Sequence, residues 1–252
     1  SGIKTVYAAA SDKGLKDEFA AYFKVGTAVP ANLMTNSKAT AILLKDFNSV
    51  TCENELKPDA TLVQWKSDGT NVGVQIGSGA ASIMKFCSDN HIGMRGHTMV
   101  WYSQTPEWFF KEGYNASNGY VSESVMDKRM ESYIKNMFTL IKEQYPDLDL
   151  YCYDICNECV SDNSNNTKKA AFNSNGTFNY GGARDAGYGS GKSPWVQIYG
   201  DNHFMEKAYT YARKYAPTGC KLFYNDYNEY WDHKRDCIYT TCKYLYDKGL
   251  LD

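Results

Sequence analysis

Five short apolar runs break off on polar or aromatic side chains, and the segments between them carry a helical beat. The runs are residues 25–30, 47–53, 92–101, 151–159 and 221–227. Between and after them, residues 37–45, 78–88, 123–145 and 234–248 place apolar side chains about 3.6 residues apart, as does the stretch from Phe204 to Tyr215. Strands that alternate with helices of this length are joined by crossovers, and crossovers make neighbouring strands parallel. The alternation therefore restricts the chain to a parallel α/β architecture, in which functional side chains gather where strands end.

The fourth run is the most informative. Tyr151-Cys-Tyr-Asp-Ile-Cys156 favours a strand, and it stops on the amide of Asn157 and the carboxylate of Glu158. The longest helix precedes it, with Met126, Met130, Tyr133, Met137, Leu140 and Ile141 in phase until Pro146 stops the pattern. Another helix is expected from Gly14, with Leu15, Phe19, Tyr22 and Phe23 sharing one face. Residues 161–194, rich in Asn, Ser and Gly, are expected to form one long loop.

At 252 residues, one domain is the default, and a single barrel fits this length. The 27 basic and 29 acidic residues nearly cancel, so charge favours neither nucleic acid nor an anionic membrane. No apolar run is long enough to span a bilayer. The start, Ser1-Gly2-Ile3-Lys4, has no signal-peptide pattern, as a mature secreted chain would not. Aromatic residues make up 15% of the chain. Flat rings match the apolar faces of sugars, although many aromatics serve packing alone.

Eight cysteines allow many disulfide pairings, and Cys156-x2-Cys159 is open to a metal or redox reading. No second pair or clustered histidines complete a zinc set, so no cofactor is expected. Three Asn-x-Ser/Thr sequences, at Asn115, Asn165 and Asn175, would carry sugars only in a eukaryotic secreted protein.

Four of the strand ends resemble, in order, the motifs of the glycoside hydrolase family 10 endo-β-1,4-xylanases. They are Val50-Thr-Cys-Glu-Asn-Glu-Leu-Lys57, Gly96-His-Thr-Met-Val-Trp-Tyr-Ser-Gln104, Tyr153-Asp-Ile-Cys-Asn-Glu158 and Leu222 to Asn228. The resemblance implies a (β/α)8 TIM barrel, of which residues 1–252 hold about the first five units. It also implies a secreted enzyme that cuts internal bonds of xylan or xylo-oligosaccharides with retention. Glu158 then corresponds to the general acid/base and Asn157 to the residue that holds the sugar's 2-hydroxyl. Glu53, Asn54 and Lys57 correspond to glycone-side sugar contacts, and His97, Trp101 and Gln104 to the wall around the scissile sugar. Asn225 and Tyr227 match the fifth strand end, near the aglycone side.

Retention requires two carboxyl groups about 5 Å apart, one donating a proton and one attacking the anomeric carbon. The attacking glutamate of the family lies on the seventh strand, and no segment of this sequence matches it. It is expected on polypeptide supplying strands six to eight. The competing readings are a xylan- or β-glycan-binding protein without the nucleophile, and another β-glycan hydrolase on the same barrel. Tyr102 stands where the family usually has His, and Tyr153 where it has Trp. Cys52, Cys156 and Cys159 are further departures.

Overall fold

The computed structural model describes residues 12–167 and 170–252, so the Ser1–Lys4 stretch lies outside the described residues. The five runs form β1 (Gly26–Val29), β2 (Ser49–Cys52), β3 (Gly93–Val100), β4 (Leu150–Asn157) and β5 (Lys221–Asn225). The long helices are α1 (Ser37–Asp46), α2 (Ser78–Asp89), α3 (Glu123–Gln144), α4 (Phe204–Tyr215) and α5 (Asp232–Asp247). All five strands are parallel and lie in the sheet in their order along the chain. Each new strand adding beside the last is how a barrel wall is laid. Among the described residues β1 and β5 are each paired on one side only, so the sheet is an open wall of five barrel staves.

The helical beat of α3 is recovered as a buried face of Met126, Met130, Tyr133, Met137 and Ile141, widened by Ile134 and Phe138. Ser122 caps its start by accepting a hydrogen bond from the Val125 amide at 3.3 Å. Behind the sheet, the Tyr153 ring meets Phe138 edge-on at 5.5 Å. This ring fits because its register partner on β3 is Gly96. A Cβ at position 96 would stand 2.1 Å from the Tyr153 ring.

Two expectations change. The segment from Gly14 is helical only over Leu15–Glu18, and Leu15, Phe19, Tyr22 and Phe23 are exposed, as are Ile42 and Leu44 of α1. Their apolar spacing lacks a packing partner because the wall is open beside β1, and without tertiary burial a short helix is marginal. The long loop also carries a hairpin, Ala171–Phe172 with Phe178–Asn179, and a short helix, Pro194–Tyr199. The hairpin is held because Phe178 stacks on Tyr244 of α5, with centroids 4.0 Å apart.

At the start of α4, His203 joins that helix to α3. Its Nε2 lies 2.7 Å from Glu123 and its Nδ1 2.6 Å from Asp201. Burial alone would lower the imidazole pKa, but hydrogen bonds and charge from Glu123 and Asp201 outweigh it and raise the value above 6.5. A raised folded-state pKa gives stability that is complete below the unfolded value and is lost as pH rises through the folded one. The wild type is therefore expected to exceed His203→Gln in urea midpoint at pH 6 and to lose that advantage above neutrality. A pH-independent difference would show that the ring acts by packing.

Candidate active site

Glu158 follows the last residue of β4 and adopts a left-handed backbone, with φ of 52°. A non-glycine residue there costs on the order of 1 kcal/mol, so neighbouring contacts must hold it. They do so at three points. The Glu158 amide donates to the Asn225 carbonyl at 2.9 Å, and the Glu158 carbonyl accepts from Arg184 Nε at 2.7 Å. The side-chain Oε2 accepts from Trp101 Nε1 at 3.0 Å and from the Tyr102 hydroxyl at 3.3 Å. Oε1 has no hydrogen-bond partner among the described residues, which leaves one carboxyl oxygen for a substrate.

Tyr102 supplies its hydroxyl where an imidazole was the family expectation. Burial pushes its phenol well above its ordinary pKa, with Arg184 pulling it down and Glu158 and Tyr227 adding to the rise. It therefore keeps its proton and remains a donor to Glu158 at neutral pH. The Arg184 guanidinium lies 4.0 Å from the centroid of the same ring, close enough for a cation–π contact.

The β4–β5 register sets Asn157 opposite Asn225. Asn225 Nδ2 donates to Asn157 Oδ1 at 2.9 Å, which orients the Asn157 amide and keeps its Nδ2 as the available donor. On β3, His97 Nδ1 is 2.8 Å from Asp154 Oδ2, while Arg95 grips the same carboxylate at 2.7–3.1 Å. Asp154, 2% exposed, thus fixes the ring of His97. At the β2 end, Lys57 Nζ donates to Asn54 Oδ1 at 2.7 Å and to Gln104 Oε1 at 3.0 Å, and lies 5.1 Å from the centroid of the Trp101 ring.

These contacts bring Asn54, Lys57, Gln104, Trp101 and Glu158 into one chain of neighbours, with Asn157 and Asn225 alongside. Three expected residues, Glu53, His97 and Tyr227, lie outside that chain. Glu53 is exposed and, with His97 and Asn225, lines a cavity of about 480 Å³. Lys57 goes to amide oxygens, so a Glu53–Lys57 ion pair is not what orders this corner. Tyr227 reaches Glu158 only indirectly, with its hydroxyl donated to Asp162 and its ring 4.0 Å from Lys234 Nζ.

The sequence did not single out Arg184, Asp162 or Lys234 for the site. Arg184 lies in the loop and Lys234 near the start of α5, where no local pattern marks either one. All eight cysteines are free thiols, seven of them buried. Burial pushes the Cys156 thiol far up, which disfavours the thiolate needed for metal or redox chemistry. Among the described residues no group of three His, Cys, Asp or Glu is placed to hold a metal.

A carboxyl held on one oxygen and open on the other, beside an oriented amide, is suited to giving and taking a proton at a sugar's glycosidic oxygen. The groups that contact Glu158 are two side-chain donors, a guanidinium and a backbone carbonyl. None is a second carboxylate.

Comparison with known proteins points the same way. The family model for glycosyl hydrolase family 10 matches residues 14–252. The chain is 59% identical to endo-1,4-beta-xylanase Y of Acetivibrio thermocellus over 98% of its length, and covers 22% of that protein. It is 47% identical to the bifunctional endo-1,4-beta-xylanase XylA of Ruminococcus flavefaciens over 97% of its length, and covers 24% of it. Among solved structures, it matches the N-terminal endo-1,4-beta-D-xylanase 10B modules of Clostridium thermocellum, complexed with xylohexaose. That match has a TM-score of 0.89 at 59% identity, over 95% of this chain and 44% of the other. The chain thus spans less than a quarter of these curated relatives and less than half of that solved chain.

Proposed function

The chain belongs to glycosyl hydrolase family 10, and from this premise we propose that the protein is a retaining endo-1,4-β-xylanase with Glu158 as its general acid/base. The observation that carries the reading is the grip of Trp101 and Tyr102 on one oxygen of Glu158 at a strand end, with the other oxygen free. Glu158 protonates the oxygen of the departing xylosyl unit and later takes a proton from the water that releases the glycosyl intermediate. Asn157 Nδ2 donates to the 2-hydroxyl, a bond that strengthens as the ring nears an oxocarbenium-like state. Glu53, Asn54 and Lys57 hold the glycone side, and His97, Trp101 and Gln104 wall the scissile sugar. The attacking carboxylate is assigned to strands beyond β5, about 5 Å from Glu158. Xylan is a polymer that does not cross membranes, so the working location is extracellular.

The experiment is to incubate the full-length protein with xylan and with cellulose and to follow the anomeric protons by NMR. Internal cleavage of xylan giving β-anomers first, with the activity in the culture medium, is the expected result. First-formed α-anomers would exclude retention, and equal turnover of cellulose would assign another substrate. Binding of xylan without turnover would instead favour the reading as a sugar-binding protein.

A further inference from the structure

The chain leaves Glu158 on a long excursion and comes back to it at Arg184. The two arms of that excursion are held close together. Val160 and Ala183 form an antiparallel bridge, and the Ser161 amide donates to the Gly182 carbonyl at 2.7 Å. Only glycine fits at position 182, where φ is 74° and a Cβ would stand 2.6 Å from Cys237 Sγ and 2.9 Å from Val160. Asn202 Nδ2 ties the arms again, donating to the Cys159 carbonyl at 3.2 Å and to the Gly181 carbonyl at 3.5 Å. Beyond Arg184, the Ser193 amide donates to the Asp185 carbonyl at 2.8 Å. The main chain on both sides of Arg184 is therefore anchored.

The Arg184 side chain is 7% exposed, and its surroundings are unusual for a buried cation. Arg95, Arg213 and Arg235 each meet an aspartate, whereas Arg184 forms no ion pair among the described residues. Its Nη2 is also buried with no hydrogen-bond partner among them. Burying a charge in this way costs stability, and an apolar side chain of similar length would fill the space without that cost. The compensation lies at the site. Nε donates to the Glu158 carbonyl at 2.7 Å, and the guanidinium lies 4.0 Å from the centroid of the Tyr102 ring. Because the Glu158 amide is bonded to Asn225, the bond from Arg184 fixes the second peptide plane of a residue whose φ is 52°. The same planar group holds the ring whose hydroxyl donates to Glu158 Oε2.

We propose that Arg184 is a positioning residue for the proton transfer. It acts through Glu158 and Tyr102, fixing the main chain of one and the ring of the other so that the free carboxyl oxygen is aimed at the glycosidic oxygen. A proton donor loses rate when that geometry loosens, even where its chemistry is intact. This inference rests on the xylanase reading given above.

The test compares two substrates in the full-length protein: xylohexaose, whose leaving group needs a proton, and dinitrophenyl xylobioside, whose leaving group does not. Arg184→Met keeps the length of the side chain and removes the donor and the charge. Its kcat/KM on xylohexaose is expected to fall about tenfold, the scale of one hydrogen bond to a charged group, and on dinitrophenyl xylobioside by no more than about twofold. Arg184→Lys should lie between Arg184→Met and wild type on xylohexaose, because an ammonium keeps the charge and a donor but not the planar group that stacks on Tyr102. An equal loss on both substrates would show that Arg184 serves the fold alone and would overturn the inference. So would an unchanged value on xylohexaose, or an Arg184→Lys variant as slow as Arg184→Met. If the wild type cleaves neither substrate, the xylanase reading fails instead, which keeps the two failures distinct.

Discussion

Glu158→Ala is expected to lower kcat on xylan about 10³-fold, within the range that a positioned acid/base contributes. The loss should depend on the leaving group. A xylosyl unit leaves as a poor alkoxide unless protonated, whereas a dinitrophenolate needs no proton. With an aryl xylobioside of that type, the first step should be nearly normal and the second slow, because water has lost its base. The expected record is a burst of phenolate followed by a slow steady state with a lowered KM. The substitution removes the acceptor of the Trp101 and Tyr102 bonds but not the Arg184 bond to the main chain, so the fold around position 158 should persist. Xylan turnover within tenfold of wild type would remove Glu158 from its assigned role.

The largest stability effect is expected at Lys234. Its side chain is 0% exposed, and its ammonium lies 2.6 Å from Asp162 and 2.9 Å from Asp226, whose side chain is 3% exposed. Lys234→Met keeps the volume and removes the charge, leaving Asp226 buried without its cation. Breaking such a pair from one side costs about 3–5 kcal/mol. Adding Asp226→Asn should return part of that loss, because the uncompensated charge is then gone. Urea midpoints of the single and double variants measure both effects, and a single variant with an unchanged midpoint would rule out the pair as a support. Because Asp162 also holds Tyr227, the single variant should weaken substrate binding near β5 as well.

The strands and helices were legible because each carries its own period. The β3, β4 and β5 runs end within one or two residues of the observed strands, and α3 begins at Glu123 as expected. The residues at strand ends were legible for a second reason, since a parallel sheet delivers all its C-terminal ends to one side. The ionic and aromatic contacts made by loop residues were not legible. Nothing near Arg184 in the sequence says that it will reach the carbonyl of Glu158, 26 positions away. Lys234 reads as a solvated helix residue until the fold folds it under Asp162. The segment after Gly14 failed in the opposite sense, because its apolar period is present but no surface of the described residues covers it.

The state of the sulfurs has a practical consequence. A wall whose thiols are reduced and sealed in apolar packing owes its cohesion to side-chain contacts, with no covalent staple between distant segments. Burial lifts the Cys87 thiol to about 12 and that of Cys152 to about 11, so few are deprotonated at neutral pH. Such sulfurs exchange slowly with oxidants or alkylating reagents. The packing of this wall therefore rests on none of its eight sulfurs being joined to another.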